Sequence, residues 1–485
     1  MVYMRSYKGQ NWLIPQSIQD MIPKNHICFF VEEFVDSLDF SKFDMISEGA
    51  GRPSYHPRII MKVIIQGMLS KERSSRKLAS ACRENFVFIY LAEKVQPEFS
   101  TICRFRRNNK EFVKEAFKET IKLADENDLI DLNLICTDGS KIKANASKKM
   151  YLTKEQIGKL DSIIDRIVEE DISQDEIDKE ICGNKEENLT NLEIKNLKGI
   201  VKKYRESKNK EKIKEKCNTA KEEFDKDPHI KRVSLSDPDC RLMQNKKGFF
   251  ELDYNVQFTV DSKNQIIIAN DVCQDIDDFR QLEPQVKQTK ENIQFKANTR
   301  LSTDCGYNSG ENLKFIEDQG ITSYIPNKEQ AKNREQKIKF DNYEYDEETD
   351  EVISDGKRFG YSGTYYNKKD RYRFHRYRNK EFKLNLDVPE FFRERLRMKK
   401  KMETKEAKII YASRKSIVEL VIGNIKYNLR FDEFSMKGLK NAKLELNLAS
   451  IAHNLKKIWI LKGILSANNK NPIFYLIIEN SQIEL

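Results

Sequence analysis

Apolar side chains between residues 1 and 130 recur at helical spacing, most clearly in HPRIIMKVIIQGMLSKERSSRKLASACREN (56–85), where Ser74 stands as an N-cap between two helices. FVFIYLAEKV stops before Pro97. The run after it, FSTICRFRRNNKEFVKEAFKETIKLADEN, predicts a helix capped by Ser100 and opening with Arg104, Arg106 and Arg107. Short helices with clustered arginines suit a helix-turn-helix-like DNA reader; a helical bundle with a solvated basic face suits the same pattern. In DLNLICTDGSKIKANAS (131–147) the pattern changes, and LNLICT predicts a strand with Asp138 at its C-terminal end and a Gly139 turn behind it.

Helical spacing returns over 148–230. One stripe is Ile157, Leu160, Ile163, Ile164 and Ile167; a looser one, Leu189, Leu192, Leu197 and Ile200, follows Gly183. Together they predict a charged antiparallel helical hairpin with a structural stripe, inserted into another domain. YNVQFTVDSKNQIIIANDV (254–272) predicts two strands around a turn at Asp261–Asn264, and a helix over 278–292 follows. TRLSTDCGYNSGENLKFIEDQGITSYIP (299–326) predicts strand, sharp turn, helix and strand, with Asp304 at a strand end. Residues 327–404 carry weak β-signals, and 405–465 read as helical, with Glu419, Ile422 and Lys426 within two turns.

The expected architecture is therefore α/β. A helical N-terminal domain (1–125) precedes a mixed sheet flanked by helices (131–147, 250–326 and 405–465). That sheet is interrupted by the helical hairpin (148–235) and by a β-rich insertion (327–404).

Charge adds a partner class. Lys plus Arg number 87 against 77 Asp plus Glu, and the net charge of +10 permits nucleic-acid binding without requiring it. The 9 cysteines contain no C-x-x-C pair, which points to reduced thiols rather than a zinc module or a disulfide framework. No apolar run reaches membrane-spanning length, and the first residues lack a signal-peptide core, so a cytoplasmic protein with no membrane partner is expected.

Two acids at strand ends and a third on a later helix, Asp138, Asp304 and Glu419, can converge at one rim of a mixed sheet. Hard oxygen donors gathered there suit two Mg²⁺ or Mn²⁺ ions, which activate a water or a 3′-hydroxyl for in-line attack on phosphorus. Taken singly, each acid serves equally well as a surface charge, a cap or a turn residue.

Longer motifs carry a resemblance to the DDE transposases of bacterial insertion sequences. The blocks are QNWLIPQSIQDMIPKNHICFFVEEFVDSLD, GRPSYHPRIIMKVIIQGMLSKERSSRKLASACREN, FSTICRFRRNN, TDGSKIKANAS, SDPDCRLMQNKKGFFELDYNVQFTVD, STDCGYNSGENLKFIEDQGI and RLRMKKKMETKEAKIIYASRKSIVELVIGNIK, in the family's order and over most of the chain. The resemblance implies an RNase H-like catalytic domain of the retroviral-integrase kind. It implies metal binding by Asp138, Asp304 and Glu419, and double-stranded DNA partners: terminal inverted repeats and target DNA. It also implies at least a dimer when two ends are brought together. Tyr411, Arg414 and Lys426 match the family's Y-R-E-K signature, whose basic residues are implied to contact DNA near the cleavage point. Many relatives have three residues between the Arg and the Glu; here four intervene, so Lys415 stands in the usual slot and either cation can serve. Close relatives often carry a cysteine cluster within 336–395. This chain has no cysteine after Cys305, so no zinc is expected, and His375 in YRFHRYRNKEFK reads as DNA-facing or solvated.

Asp277 and Asp278 read as caps of the helix at 278–292 rather than as metal ligands, and Asn255 and Gln257 lie near the expected active edge. His453 reads as packed. Three functions remain open: an active transposase, a non-catalytic DNA-binding protein derived from one, and a host nuclease on the same scaffold.

Overall fold

A computed structural model describes residues 17–46, 55–169, 191–205, 211–245, 248–327, 343–368 and 372–468. The chain divides after Thr120 and after Ser450 into two compact units, one of them formed by residues from both ends of the chain.

The first unit is helical: α1 (Ile27–Asp36), α2 (Ser41–Ile46), α3 (Pro57–Leu69), α4 (Ser75–Glu84), α5 (Phe86–Leu91), α6 (Phe99–Asn108) and the start of α7 (Lys110–Glu126). Pro57 opens α3, where its missing N–H costs nothing, and His56 accepts a hydrogen bond from Arg58 N at 3.1 Å. Ser74 caps α4 as its sequence indicates. Ser100 does not cap α6: the helix starts two residues earlier, at Phe99 behind Glu98, with no side-chain cap bond. α3 is buried on nearly every side, Ile60, Met61, Val63, Ile64 and Ile65 each being at most 1% exposed. The Lys62 ammonium, carried inside by the same helix, stands 3.0 Å from Asp36 and 3.5 Å from Glu32, the pairing a buried charge demands.

In the second unit β1 (Leu134–Lys143) pairs antiparallel with β5 (Phe250–Asp261) and parallel with β7 (Arg300–Thr303), which in turn pairs parallel with β8 (Thr322–Tyr324). The other edge of β5 is shared by β4 (Arg241–Gln244) and β6 (Ile267–Cys273). β1 runs through Asp138 and Gly139 to Lys143, so the expected turn at Gly139 is absent and Asp138 sits mid-strand. What ends there is its neighbour: β7 stops at Thr303, opposite Thr137.

Between β1 and β4 the chain forms three described helices rather than the expected pair: α8 (Lys154–Glu169), α9 (Asn191–Arg205) and α10 (Glu211–Lys226). Ile157, Leu160, Ile163 and Ile164 pack with Leu197, Ile200, Val201, Cys217 and Phe224 in a core of their own. Leu189 lies outside the described residues. Short strands β2 (Tyr151–Leu152) and β3 (Val233–Ser234) pair at the base and close this excursion. Its sequence showed no separate stripe for the third helix because Lys and Glu dilute the apolar positions there.

α11 (Leu282–Asn292) follows β6 and α12 (Gly310–Asp318) joins β7 to β8. A second, antiparallel sheet then has the order β13-β12-β11-β10-β9, built from β9 (Tyr343–Asp346), β10 (Glu351–Ser354), β11 (Lys357–Asn367), β12 (Tyr372–Asn379) and β13 (Leu384–Pro389). Its core is small: Val352, Phe359, Tyr377 and Val388 against Phe392. Next come α13 (Phe392–Glu403), α14 (Lys405–Arg414), a π-helical turn (Lys415–Glu419), α15 (Leu420–Gly423), a second π turn (Asn424–Asn428) and α16 (Leu439–Asn468). His453 is 1% exposed on α16, as expected of a packed residue. Among the described residues no helix is long and apolar enough to cross a membrane.

Candidate active site

The polar side chains of β5 alternate along one face: Asp253, Asn255, Gln257, Thr259 and Asp261, interleaved with apolar Tyr254, Val256, Phe258 and Val260. An alternating strand ordinarily turns its polar face to water, yet all nine of these residues are buried. Each buried polar group then needs a partner, and finding them leads to the site. Thr259 meets Thr137 of β1 at 2.9 Å and donates to Gln285 of α11 at 3.0 Å. Gln257 accepts from the wholly buried Tyr307 hydroxyl and donates to Asp278 Oδ1 at 2.6 Å; Asn255 donates to the same oxygen at 2.8 Å.

Asp138 lies opposite Phe258 on β1, and Asp304 follows the last residue of the adjacent, parallel β7. Asp304 caps a short 3-10 turn, its Oδ1 accepting from Gly306 N at 2.7 Å. The first π turn brings in the third acid by packing against both β1 and β5. Arg414, 8% exposed, spans two of the acids: Nη1 is 3.0 Å from Asp138 Oδ2, and Nη2 donates to Glu419 Oε1 at 2.9 Å. Burial works against the guanidinium charge, but Asp138 and Glu419 outweigh it, and the Arg414 pKa rises above its ordinary value.

The unusual Arg–Glu spacing has a structural answer. In an α-helix one extra residue would swing Glu419 about 100° around the axis, away from Arg414. The π turn closes i→i+5 and absorbs that residue, so Arg414 and Glu419 still meet. Lys415 is exposed and Arg414 is the buried cation. Tyr411 lies under Arg414, its ring centroid 5.6 Å from the guanidinium carbon. Lys426, on the second π turn, donates to the Lys141 carbonyl of β1 at 2.6 Å.

Arg104, Arg106 and Arg107 belong to the other unit. Arg104 and Arg107 are exposed, whereas Arg106 is 6% exposed and donates to the Arg73 carbonyl at 2.8 Å. Arg106 thus turns toward the interior of its own unit. The cap reading of Asp277 and Asp278 is corrected. α11 begins at Leu282 behind Gln281, which makes no side-chain cap bond, and neither aspartate caps it.

Two comparisons with protein families fall on this framework. The model described as a transposase domain (DUF772) matches residues 16–108, and the one described as a transposase DDE domain matches residues 238–455. The chain belongs to the DDE transposases. No curated protein matches it. Asp304, Arg414 and Glu419 fall within the matched DDE domain, and Asp138 precedes it. Within this transposase, β1 joins Asp138 to the others by pairing with β5 and β7, and Arg414 ties it to Glu419. The mixed sheet and its flanking helices are the RNase H-like fold that the resemblance implies.

A divalent cation is the group the family implies. The donors suit it chemically, being hard carboxylate oxygens. The pair at Asp138 and Glu419 already shares one positive group, the Arg414 guanidinium. Among the described residues, however, no three His, Cys, Asp or Glu side chains stand close enough together to cage an ion as they are arranged.

The sequence reading took Asp278 for a helix cap, whereas the buried amides of β5 hold it, and it passed over the π turn. Polar residues at every second position from 253 to 261 were the available signal for the first. The second had one too, the extra residue between Arg414 and Glu419.

Proposed function

We propose that this transposase binds the ends of its element, cleaves DNA there and joins the freed ends to a target duplex, with Asp138, Asp304 and Glu419 as the acidic residues of the reaction. The observation that carries the reading is the convergence of Asp138 and Glu419 on the buried Arg414 beside the strand end that bears Asp304. The three acids come from a central strand, a strand end and a late helix, and a merely structural reason for that assembly is hard to find.

Asp138, Asp304 and Glu419 would hold Mg²⁺ or Mn²⁺. Such an ion, when bound, supplies Lewis acidity at the phosphate and lowers the pKa of water. The protein's own part is positioning. β1 and β7 set the spacing of two acids through their parallel pairing, and the π turn delivers the third. Arg414 is poised to exchange a carboxylate for a DNA phosphate, since a guanidinium binds either in the same forked geometry. Lys426 is held to the backbone of β1 and adds positive charge at the same edge. Exposed Arg104 and Arg107 offer phosphate contacts in the helical unit, where end recognition is assigned. Two ends brought together require at least two copies of the chain.

The test is Asp138→Ala. Cleavage of DNA carrying the element's ends should fall at least about a thousandfold, equivalent to about 4 kcal/mol, with binding retained. Cleavage that persists refutes the assignment.

A further inference from the structure

A π turn is a rare form of helix, and one set between α14 and α15 needs something outside the helix to hold it. Gln265, in the turn between β5 and β6, donates from Nε2 to the Ser416 carbonyl at 2.8 Å. In an α-helix that carbonyl would accept from the Leu420 N–H, but here the Leu420 N–H is bonded to the Ile417 carbonyl instead. The second π turn is tied down in the same manner, by Lys426 on the Lys141 carbonyl of β1. Each π turn thus has a side-chain donor linking it to the mixed sheet through a backbone carbonyl.

The backbone of Gln265 supplies a second observation. Its φ is +59°, in the left-handed region where a side chain is unfavourable and glycine is at ease. The turn closes through main-chain groups: Gln265 N–H donates to the Asp261 carbonyl at 3.1 Å, and Asp261 N–H to the Ile266 carbonyl at 2.9 Å. Neither bond needs a side chain at 265, so the backbone alone calls for glycine. The chain instead carries a long amide whose donor reaches the π turn. Strain kept at such a position has its reason in what the side chain does.

Resting on the function proposed above, we infer that Gln265 is a positioning residue of the site: its amide holds the Ser416 carbonyl and so fixes the π turn that brings Glu419 to Arg414 and Asp138.

Gln265→Gly in the full-length protein separates the side chain from the backbone. Glycine relieves the left-handed strain and loosens the unfolded chain, so the melting temperature should stay close to the parent's. With the amide gone, kcat for cleavage of DNA carrying the element's ends should fall at least about tenfold at unchanged KM, the mark of a misplaced reacting group. Gln265→Lys should restore most of kcat. An ammonium donates to the same carbonyl, and Lys71, Lys94 and Lys383 already adopt a positive φ in this chain. Asn264→Ala is the structural comparison: Asn264 belongs to the same turn but donates to the Leu129 carbonyl at 2.9 Å, so its loss should lower the melting temperature and leave kcat alone. Should Gln265→Gly fail to fold, Gln265→Asn carries the same measurement, because asparagine tolerates a positive φ but is one carbon shorter. Parental kcat in Gln265→Gly, or no recovery in Gln265→Lys, overturns the inference. Asp138→Ala in the same assay tells two failures apart. If it still cleaves, the reading of the site has failed and Gln265 with it; if it is inactive while Gln265→Gly cleaves at the parental rate, Gln265 alone is wrong.

Discussion

The second unit builds two sheets under opposite rules. In the mixed sheet, β5 is buried on both faces from Leu252 to Asp261, and every second residue on it is polar. In the antiparallel sheet of residues 343–389, the polar groups face water and pair at the surface. Arg376 lies 2.8 Å from Asp387, and Arg358 lies 3.0 Å from Glu351. Polar groups on an exposed sheet cost little and need no function to explain them. Polar groups inside a sheet need partners, and in the middle of β5 Asn255 and Gln257 both find theirs in Asp278. The contrast locates the chemistry better than acidity does, because the chain has 77 acids to choose from.

Truncating a cation should expose the difference most sharply. Arg414→Met leaves Asp138 and Glu419 facing each other without their shared counter-charge, and removal of one partner from such a buried set costs on the order of 3 kcal/mol. Urea unfolding should show that loss for Arg414→Met. Lys415→Met, one residue along and exposed, should stay within about 0.5 kcal/mol of the parent. Equal effects of the two would mean that the π turn does not select between them.

Adding a methyl group is the next test. Gly139→Ala drives a Cβ into Asp278 and Gln257, so it should destabilise by about 1–3 kcal/mol and, by shifting the edge, slow DNA cleavage about a hundredfold. Gly360→Ala, in β11 of the open sheet, meets nothing within 4 Å and should be nearly silent in both assays. If Gly139→Ala were silent as well, the tight seating of Asp278 would be wrong.

How much of this the sequence could show follows from the same contrast. The β5–β6 hairpin, the strand–turn–helix around Asp304 and the α3–α4 pair are local, and their turn and cap residues are adjacent in the chain. Periodicity and capping chemistry suffice for them. The resemblance supplied Asp138, Asp304 and Glu419 as a set. It could not supply their spacing, which depends on β1 continuing past the end of β7 and on a π turn. No local pattern distinguishes a strand that stops at Asp138 from one that runs on to Lys143. Nor does any mark Arg106 as the inward member of an arginine trio, because that depends on where the Arg73 carbonyl lies.

Acidity separates the two sheets in a final and smaller way. Asp253 of β5 is 2% exposed, with one carboxylate oxygen lacking a hydrogen-bond partner. Burial first, and then the neighbouring Glu251, push its pKa up to about 6. Asp387 of β13 is shifted the other way, because hydrogen bonds from Arg376 hold its carboxyl below the ordinary value. The signs follow from linkage. A carboxyl raised in the folded state favours folding below its unfolded pKa of about 4, and that contribution is lost as pH climbs through about 6. A lowered carboxyl contributes above its unfolded pKa and loses that contribution as pH falls through the lower folded value. Asp253→Asn should therefore match the parent's stability near pH 4 and exceed it near pH 7, by roughly 1–2 kcal/mol after allowing for solvent screening. Asp387→Asn should do the reverse and more weakly, lowering stability at neutral pH and making no difference in acid. Melting temperatures of the parent and both variants at pH 4 and pH 7 decide it. Curves that shift in parallel would show that Asp253 is hydrated rather than sealed in the sheet, and the division between a closed, function-bearing sheet and an open one would lose its electrostatic support.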